Sequence, residues 1–333
     1  MQRVSEFYGK RCAKMMKRMQ KRGAAWILAL VMVFAGLPGA NLAVSARLHL
    51  SAHIHRGEVG DSITWRLDTR TGVLNVDGTG PMMWDWWDGA PWHDHMQSIT
   101  SVVIADGVTH IGGAAFWGAS NLTSVYISDS ITTIGWSAFG YATGLISVDI
   151  PASVTYIGRW AFWQASNLTS IYMPSVTTIG IQAFQGASSL VSVYMPSVTH
   201  IGQSAFARAS SLTEIRVAPG NVYYRNIGGV LFNYTATLLH TYPAGRDAVH
   251  YAVPDSITYI GDGAFSGASN LTSVYIPDSV TYIGQSAFGY ATGLISIDIP
   301  ASVTYIGRWA FWQASNLTSI LYAQRDIHWM GCV

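Results

Sequence analysis

Hydrophobic and polar residues follow a long repeating pattern along most of this 333-residue chain. Each repeat begins with a leucine and an alternating segment such as LTSVYI (122–127), and later contains an Ile-Gly pair and an Ala-Phe pair. The pairs return every 22 or 23 residues on both sides of one longer gap, and Ile-Gly is found at positions 111, 134, 157, 179, 201, 260, 283 and 306. A period of this length is typical of a solenoid, in which each coil is covered by its neighbours.

The pattern inside one unit predicts two short strands and a turn. Leu122, Val125 and Ile127 are expected to face the core, because alternate side chains of a strand point to opposite sides. A second extended segment, VTYIG (154–158), ends in a glycine that permits a tight corner. The Ala-Phe pair is expected in a short helical turn. The predicted fold class is therefore a β-rich solenoid whose coils of 22–23 residues contain short strands and short helical turns.

Residues 47–100 do not repeat and are predicted to form a small N-terminal β cap domain. The segment SITWRLDTRTGVLNVDGT (62–79) has the alternation of two short strands, and PMMWDWWDGAPWHDHM (81–96) is rich in tryptophan. Because the first coil of a solenoid exposes one apolar end, the tryptophans are expected to seal that end. The alternative is a sugar-stacking surface, for which the candidates are Trp86, Trp87 and Trp92.

Residues 101–323 are assigned to the solenoid, with an irregular insertion at residues 217–252. The insertion contains a predicted hairpin, GVLF (229–232) followed by TLLH (237–240). It is either a longer coil with its own small core or a binding insertion, since insertions in solenoids map to one side. After Ile320 the repeat gives way to LYAQRDIHWMGCV, so we expect a truncated or frameshifted product with a non-repeat tail at 324–333 and an exposed apolar end.

The N-terminal residues have the pattern of a secretory signal. Residues 1–22 contain eight Lys or Arg and one acid, a balance of +7, and AAWILALVMVFAGL (24–37) follows. This apolar run is shorter than a membrane-spanning helix requires, and small residues precede a cleavage site after Ala46. We predict a signal peptide at 1–46, or a shorter one that starts at Met19, with an uncleaved anchor as the alternative. The protein is expected to be secreted or to lie at the cell surface, with no membrane span after cleavage.

Charge and cysteine content narrow the classes of partner. The whole chain carries a net charge of +1, so the residues after the basic start carry −6, and no lysine occurs after Lys21. Nucleic acids and acidic membrane surfaces are bound by clustered cations, so neither is expected as a partner. The two cysteines, Cys12 and Cys332, leave the exported chain without an internal disulfide.

The repeat resembles that of the BspA-like leucine-rich repeat family, L-x-x-I-x-I-P-x-S-V-x-x-I-G-x-x-A-F-x-x-C. Units 122–144, 145–167, 271–293 and 294–316 match it closely, and the insertion and the N-terminal segment are also similar to parts of that family. The family's cysteine is replaced here by alanine at Ala119, Ala142, Ala165, Ala187, Ala209, Ala268, Ala291 and Ala314. The resemblance implies an exported or surface protein that is not an enzyme and that mediates adhesion to host matrix or microbial surface proteins.

Outward-facing positions of successive strands are expected to form columns on the solenoid surface. Tyrosine offers a large contact area at a low entropic cost, which protein-binding surfaces favour, although tyrosine also suits exposed strands in general. The predicted ligand-binding residues are Tyr126, Asp149, Tyr172, Tyr194, Arg216, Tyr275 and Asp298. A second column, which is a weaker candidate, consists of His110, Thr133, Tyr156, Thr178, His200, Tyr259, Tyr282 and Tyr305.

The remaining residues do not suggest chemistry. His53 with His55, and His93 with His95, lack the spacing of known metal sites, and no Ser, His and acid are marked out as a catalytic set. We therefore expect no enzyme activity, no metal and no cofactor. The predicted partner is a protein ligand, with glycans as the alternative.

Overall fold

The computed structural model describes residues 53–60, 62–84 and 89–322, together with the backbone of residues 328 and 329. These residues form a β-solenoid of about ten turns, which confirms the predicted fold class. The predicted signal peptide at 1–46 lies outside the described residues.

The N-terminal cap is an antiparallel meander that continues directly into the solenoid. Its second strand buries Ile63, Trp65 and Leu67 and exposes the residues between them, as the alternation predicts. The third strand of the cap pairs in parallel with the first solenoid strand, so cap and solenoid share one sheet. The cap contains β1 (Ile54–Val59), β2 (Ile63–Asp68), β3 (Val73–Gly78), β4 (Gly80–Pro81) and a 3-10 helix (His93–Ser98).

Each coil contributes one strand to a surface that we call the leading face. Its strands are β5 (Ser101–Ile104), β7 (Ser124–Ile127), β9 (Ser147–Asp149), β11 (Ser170–Tyr172), β13 (Ser192–Met195), β15 (Glu214–Val217), β19 (His250–Ala252), β21 (Ser273–Tyr275), β23 (Ser296–Ile299) and β25 (Ser319–Tyr322). Neighbouring strands that pair are parallel and differ by one repeat, so equivalent residues of successive coils lie side by side.

A second, shorter strand of each coil forms what we call the second face. Its strands are β6 (Val108–Ile111), β8 (Thr133–Ile134), β10 (Tyr156–Ile157), β12 (Thr178–Ile179), β14 (His200–Ile201), β18 (Leu238–Thr241), β20 (Tyr259–Ile260), β22 (Tyr282–Ile283), β24 (Tyr305–Ile306) and β26 (His328–Trp329). β4 of the cap pairs with β6, so the cap extends this face as well.

The insertion interrupts both faces. It forms the predicted hairpin from β17 (Val230–Asn233) and β18, and β16 (Tyr224–Ile227) adds a third antiparallel strand beside β17. β18 then pairs in parallel with β20. On the leading face the pairing stops at β15 and starts again at β19, and on the second face it stops at β14 and starts again at β18.

The Ala-Phe segment forms consecutive hydrogen-bonded turns in which no regular helix develops. In the coil around Phe162, Trp163 N–H donates to the Trp160 carbonyl at 3.0 Å and Ala165 N–H donates to the Phe162 carbonyl at 3.1 Å. Trp160 and Gln164 have φ angles of 59° and 57°, which a right-handed helix does not allow. These left-handed residues direct alternate N–H groups to the next coil, where Phe162 N–H donates to the Ala183 carbonyl at 2.7 Å.

Stacked phenylalanines run along the core, one from each regular coil. Phe139, Phe162 and Phe184 are fully buried and their ring centroids are 5.2 Å apart. The glycine of each Ile-Gly pair makes this spacing possible, because a Cβ at Gly158 would lie 2.6 Å from the backbone nitrogen of Trp136 in the preceding coil. No side chain fits there without a shift of the backbone.

Candidate binding face

The seven predicted ligand-binding residues all lie on the leading face with their side chains exposed to solvent. Four of them are direct neighbours, because Tyr172 lies in register with Asp149 on one side and Tyr194 on the other, and Tyr194 lies in register with Arg216. The rings of Tyr172 and Tyr194 stack with centroids 6.0 Å apart and an interplanar angle of 11°. They remain 55% and 38% exposed, so they present a rigid aromatic surface to solvent.

Arg216 ends this group with an ion pair. Its Nε lies 2.7 Å from Oε1 of Glu214. The hydrogen bond to Arg216 is the main cause that lowers the pKa of Glu214, and the same bond raises the pKa of Arg216. Both side chains are open to water, so the pair adds little to stability. Its effect is to hold the guanidinium beside Tyr194, so one cation lies next to two stacked tyrosines.

The other three predicted residues are separated from this group. Tyr126 lies on β7, which pairs with β5 of the N-terminal sheet. Tyr275 and Asp298 lie beyond the insertion, where β21 pairs with β19 and β23 pairs with β25. The seven residues therefore belong to three sheets, and the insertion divides the column between Arg216 and Tyr275.

The second part of the leading face contains a concavity that the sequence did not single out. It has a volume of about 570 Å³, and its lining includes the tyrosines Tyr275 and Tyr322, the acids Asp278 and Asp298, and the aliphatic Leu321. Asp298 lies in register with Leu321, and both side chains line the concavity. Burial raises the pKa of Tyr322 to about 12. The sequence feature that could have indicated Asp278 as part of this concavity is its position in the turn after Pro277, shortly beyond the end of β21.

Trp92 does not belong to a sugar-binding surface. Its side chain is fully buried, stacks on Phe116 with ring centroids 5.7 Å apart, and donates its indole N–H to the Ala115 carbonyl at 2.8 Å. In the next coil the equivalent carbonyl, that of Ala138, accepts the N–H of Phe116. Trp92 thus takes the place of a preceding coil. Because its side chain is fully buried, the prediction that it could bind a sugar was wrong. Trp86 and Trp87 lie outside the described residues.

The tyrosines of the second face stack on one another more closely than those of the leading face. Centroids are 4.2 Å apart between Tyr259 and Tyr282 and 4.3 Å apart between Tyr282 and Tyr305. Burial is the first cause that raises the pKa of Tyr282, and hydrogen bonds with the two neighbouring hydroxyls raise it further. The rings of this stack cover each other and offer mainly their edges to a partner.

The histidines of the cap form a close pair. The rings of His55 and His95 have centroids 3.7 Å apart, and burial, followed by the charge of His55, lowers the pKa of His95. Among the described residues, no group of three or more His, Cys, Asp or Glu side chains is arranged to hold a metal ion. None of the helices in this part of the chain combines the length and apolar content that crossing a bilayer requires.

The repeat and its geometry agree with one family of proteins. A family model described as "BspA type Leucine rich repeat region (6 copies)" matches residues 93–238 and 247–328. The chain belongs to this family. This confirms the resemblance seen in the repeat, and the coils of this BspA-type protein keep the family architecture with alanine at the position of the family's cysteine.

Solved structures of bacterial leucine-rich repeat proteins have the same fold. A leucine-rich repeat protein from Eubacterium ventriosum is 29% identical, with a TM-score of 0.75 over 81% of this chain and 72% of that chain. The pneumococcal vaccine antigen PcpA is 21% identical, with a TM-score of 0.63 over 80% of this chain and 77% of that chain. No curated protein matches this chain.

Proposed function

We propose that this protein is a non-catalytic, exported or cell-surface adhesion protein that binds a protein ligand through its leading face. The observation that carries the proposal is the group of Asp149, Tyr172, Tyr194 and Arg216, which lie in register on successive strands and are all exposed. Tyrosine and arginine are the residues that dominate the energetics of protein interfaces. The family supports a scaffold for protein binding, and the resemblance suggests a host matrix or microbial surface protein as the ligand.

The geometry of the group favours a protein over a small molecule. The two tyrosines are stacked before any ligand arrives, so binding loses little side-chain entropy at these positions. The strands spread the group over four coils, which at about 4.8 Å per strand covers roughly 15 Å from Asp149 to Arg216. A flat, rigid and extended surface of this kind suits a protein epitope.

The test is a binding assay of the full chain against a panel of purified extracellular-matrix proteins and bacterial surface proteins. In the triple variant Tyr172→Ala, Tyr194→Ala and Tyr275→Ala, we expect at least tenfold weaker binding to any panel member that binds the natural chain. The matched control is Tyr156→Ala, which removes an exposed tyrosine of the second face. Circular dichroism checks that each variant remains folded. Equal loss in the control, or no loss in the triple variant, would contradict the proposal.

A further inference from the structure

The insertion contains a histidine where every regular coil has a glycine. In regular coils the glycine of the Ile-Gly pair donates its N–H to the preceding isoleucine carbonyl, as Gly202 does to Ile179 at 2.8 Å. β18 is the strand that follows β14 on this face, and its Leu239-His240 pair stands at the place of Ile-Gly, because Leu239 lies in register with Ile260. His240 has a side chain where the regular coil needs none, so the backbone of β18 is held away from β14.

Side chains of the insertion take over the bonds that the backbone makes elsewhere. His240 donates from Nε2 to the Ile201 carbonyl at 3.2 Å, and the Tyr224 hydroxyl accepts the Ile201 N–H at 2.8 Å. The amide nitrogens of Asn221 and Asn226 donate to the carbonyls of Val198 and Ile215. We call the contact of Val198 and β14 with Asn221, Tyr224 and His240 the joint.

The hydrophobic core is divided at the same place. One cluster of buried residues runs from the cap to Leu231, and a second begins at Val230 and runs to Phe311. The stack of aromatic rings in the second cluster starts with Tyr242, which stacks on Phe265 with ring centroids 5.1 Å apart and donates its N–H to the Ala264 carbonyl. Tyr242 thus opens the second stack as Trp92 opens the first. Each part of the solenoid has its own starting aromatic residue.

Few backbone bonds cross the division. Arg208 N–H donates to the Ser266 carbonyl at 2.9 Å, and Gly245 N–H donates to the Leu212 carbonyl at 2.8 Å. On the second face, by contrast, the bonds to Ile201 pass through the side chains of Tyr224 and His240. The stability of the joint on this face therefore depends on the protonation state of one imidazole.

We propose that the joint is an acid-sensitive opening point, at which charging of His240 releases the insertion from β14 while the repeats on either side stay folded. The imidazole is buried and donates from Nε2, and its Nδ1 lies 2.9 Å from the Thr241 hydroxyl. In the neutral ring Nδ1 accepts a hydrogen bond from that hydroxyl, and protonation of Nδ1 places a positive charge in the interior. An uncompensated charge in the interior is costly, and opening to water removes the cost.

The Ile201 carbonyl favours the charged ring through its hydrogen bond, but burial outweighs this effect, and the other groups around His240 do not compensate such a charge. Tyr224 of β16 meets the ring edge-on with centroids 5.8 Å apart, and burial raises the pKa of that tyrosine, so it is neutral. His200 of β14 disfavours a second positive charge. Burial is the first cause that lowers the pKa of His240, to about 4. Since an open histidine titrates near 6.5, the open state binds the proton more tightly, and the closed state loses stability as the pH falls from about 6.5 to about 4.

The test is hydrogen exchange of the full chain followed by mass spectrometry at pH 7 and pH 5, corrected for intrinsic exchange rates. At pH 5 we expect about 20-fold less protection in peptides that contain Ile201 and residues 224–241, from the pKa difference of the closed and open states. Peptides from residues 154–184 keep their protection. His240→Gln retains a donor for the Ile201 carbonyl but does not titrate, so its joint is expected to exchange equally at both pH values.

The matched control is His250→Gln, which removes an exposed histidine of β19 and is expected to behave like the natural chain. Loss of protection spread evenly over the solenoid, or no loss at the joint of the natural chain, would overturn the proposal. The same holds if His240→Gln and the natural chain open equally with pH. Where His240→Gln does not fold, the comparison of joint and solenoid peptides in the natural chain decides the question.

Discussion

Two stretches of this chain have nearly the same sequence but different surroundings. Residues 140–171 and 289–320 differ only at Val148 and Ile297. Their turns have the same conformation, since φ is 59° at Trp160 and 58° at its counterpart Trp309. The local sequence therefore determines the path of a coil, whichever neighbours it has.

Burial differs between the two copies. Leu168 is fully buried and its counterpart Leu317 is only partly buried. Trp163 is partly buried, and its counterpart Trp312 is 39% exposed. The first copy is covered by the next coil, where Gln164 N–H donates to the Gln185 carbonyl at 2.8 Å. The comparison teaches that the same residues contribute different amounts of stability, because neighbouring coils supply the burial.

The largest expected difference between the copies is at the stacked phenylalanines. Phe162 stacks on Phe139 and Phe184, and its counterpart Phe311 stacks on Phe288. We expect Phe162→Ala to lower the free energy of unfolding by about 4 kcal/mol and Phe311→Ala by about 2 kcal/mol, because among the described residues Phe162 has two stacked ring neighbours and Phe311 has one. Urea unfolding of both variants measures the two values. Equal costs would show that the following coil is not what sets the contribution.

For the Ile-Gly glycines of the two copies, in contrast to the phenylalanines, we expect equal effects of substitution on stability. A Cβ at Gly158 would lie 2.6 Å from Trp136 N, and a Cβ at Gly307 would lie 2.4 Å from Gln285 N, so both meet the preceding coil. We expect Gly158→Ala and Gly307→Ala to cost about the same, roughly 2 kcal/mol each. Thermal or urea unfolding compares them. A much smaller cost at Gly307 would mean that the second copy also packs more loosely on the coil before it.

The smallest expected change in stability concerns Tyr141 and its counterpart Tyr290, which have different neighbours. Tyr141 packs edge-on against Trp117, with ring centroids 5.0 Å apart, whereas Tyr290 lies under the guanidinium of Arg208 at 4.1 Å. We expect Arg208→Gln to lower the free energy of unfolding by about 0.5 kcal/mol, the value of a solvent-accessible cation–π contact. The double variant with Tyr290→Ala supplies the control, because the effect of the arginine is expected to disappear once the ring is gone.

The repeat alone allowed much of the fold to be predicted. Alternation within LTSVYI placed Tyr126 outward and Leu122 inward, and the exposed positions of later coils followed from the period. The turns were less accessible to sequence reasoning, since Trp160 and Gln164 adopt positive φ values. Propensity does not favour them in residues of these types.

The sequence predicted the individual residues of the candidate site, but it did not predict that they belong to separate sheets. The insertion separates Arg216 from Tyr275. From its length alone, one cannot predict whether the strands after it join the same sheet as the strands before it. Trp92 is buried because it packs on Phe116 at the place where a preceding coil would otherwise lie. Composition does not reveal this packing, so a Trp-rich segment is equally consistent with a seal and with a sugar-binding surface. A signal for the joint was present, because aligning TLLH (237–240) with TYIG (258–261) places His240 in the glycine column.

The most direct test of the proposed binding role compares the two faces within neighbouring coils. For a protein ligand found in the panel assay, the dissociation constant is measured with the natural chain, with Tyr172→Ala and with Tyr156→Ala, which lie on the leading and the second face. We predict that Tyr172→Ala weakens binding about tenfold, as a central interface tyrosine does, and that Tyr156→Ala leaves it unchanged. Weaker binding with Tyr156→Ala together with unchanged binding with Tyr172→Ala would contradict the assignment of the leading face.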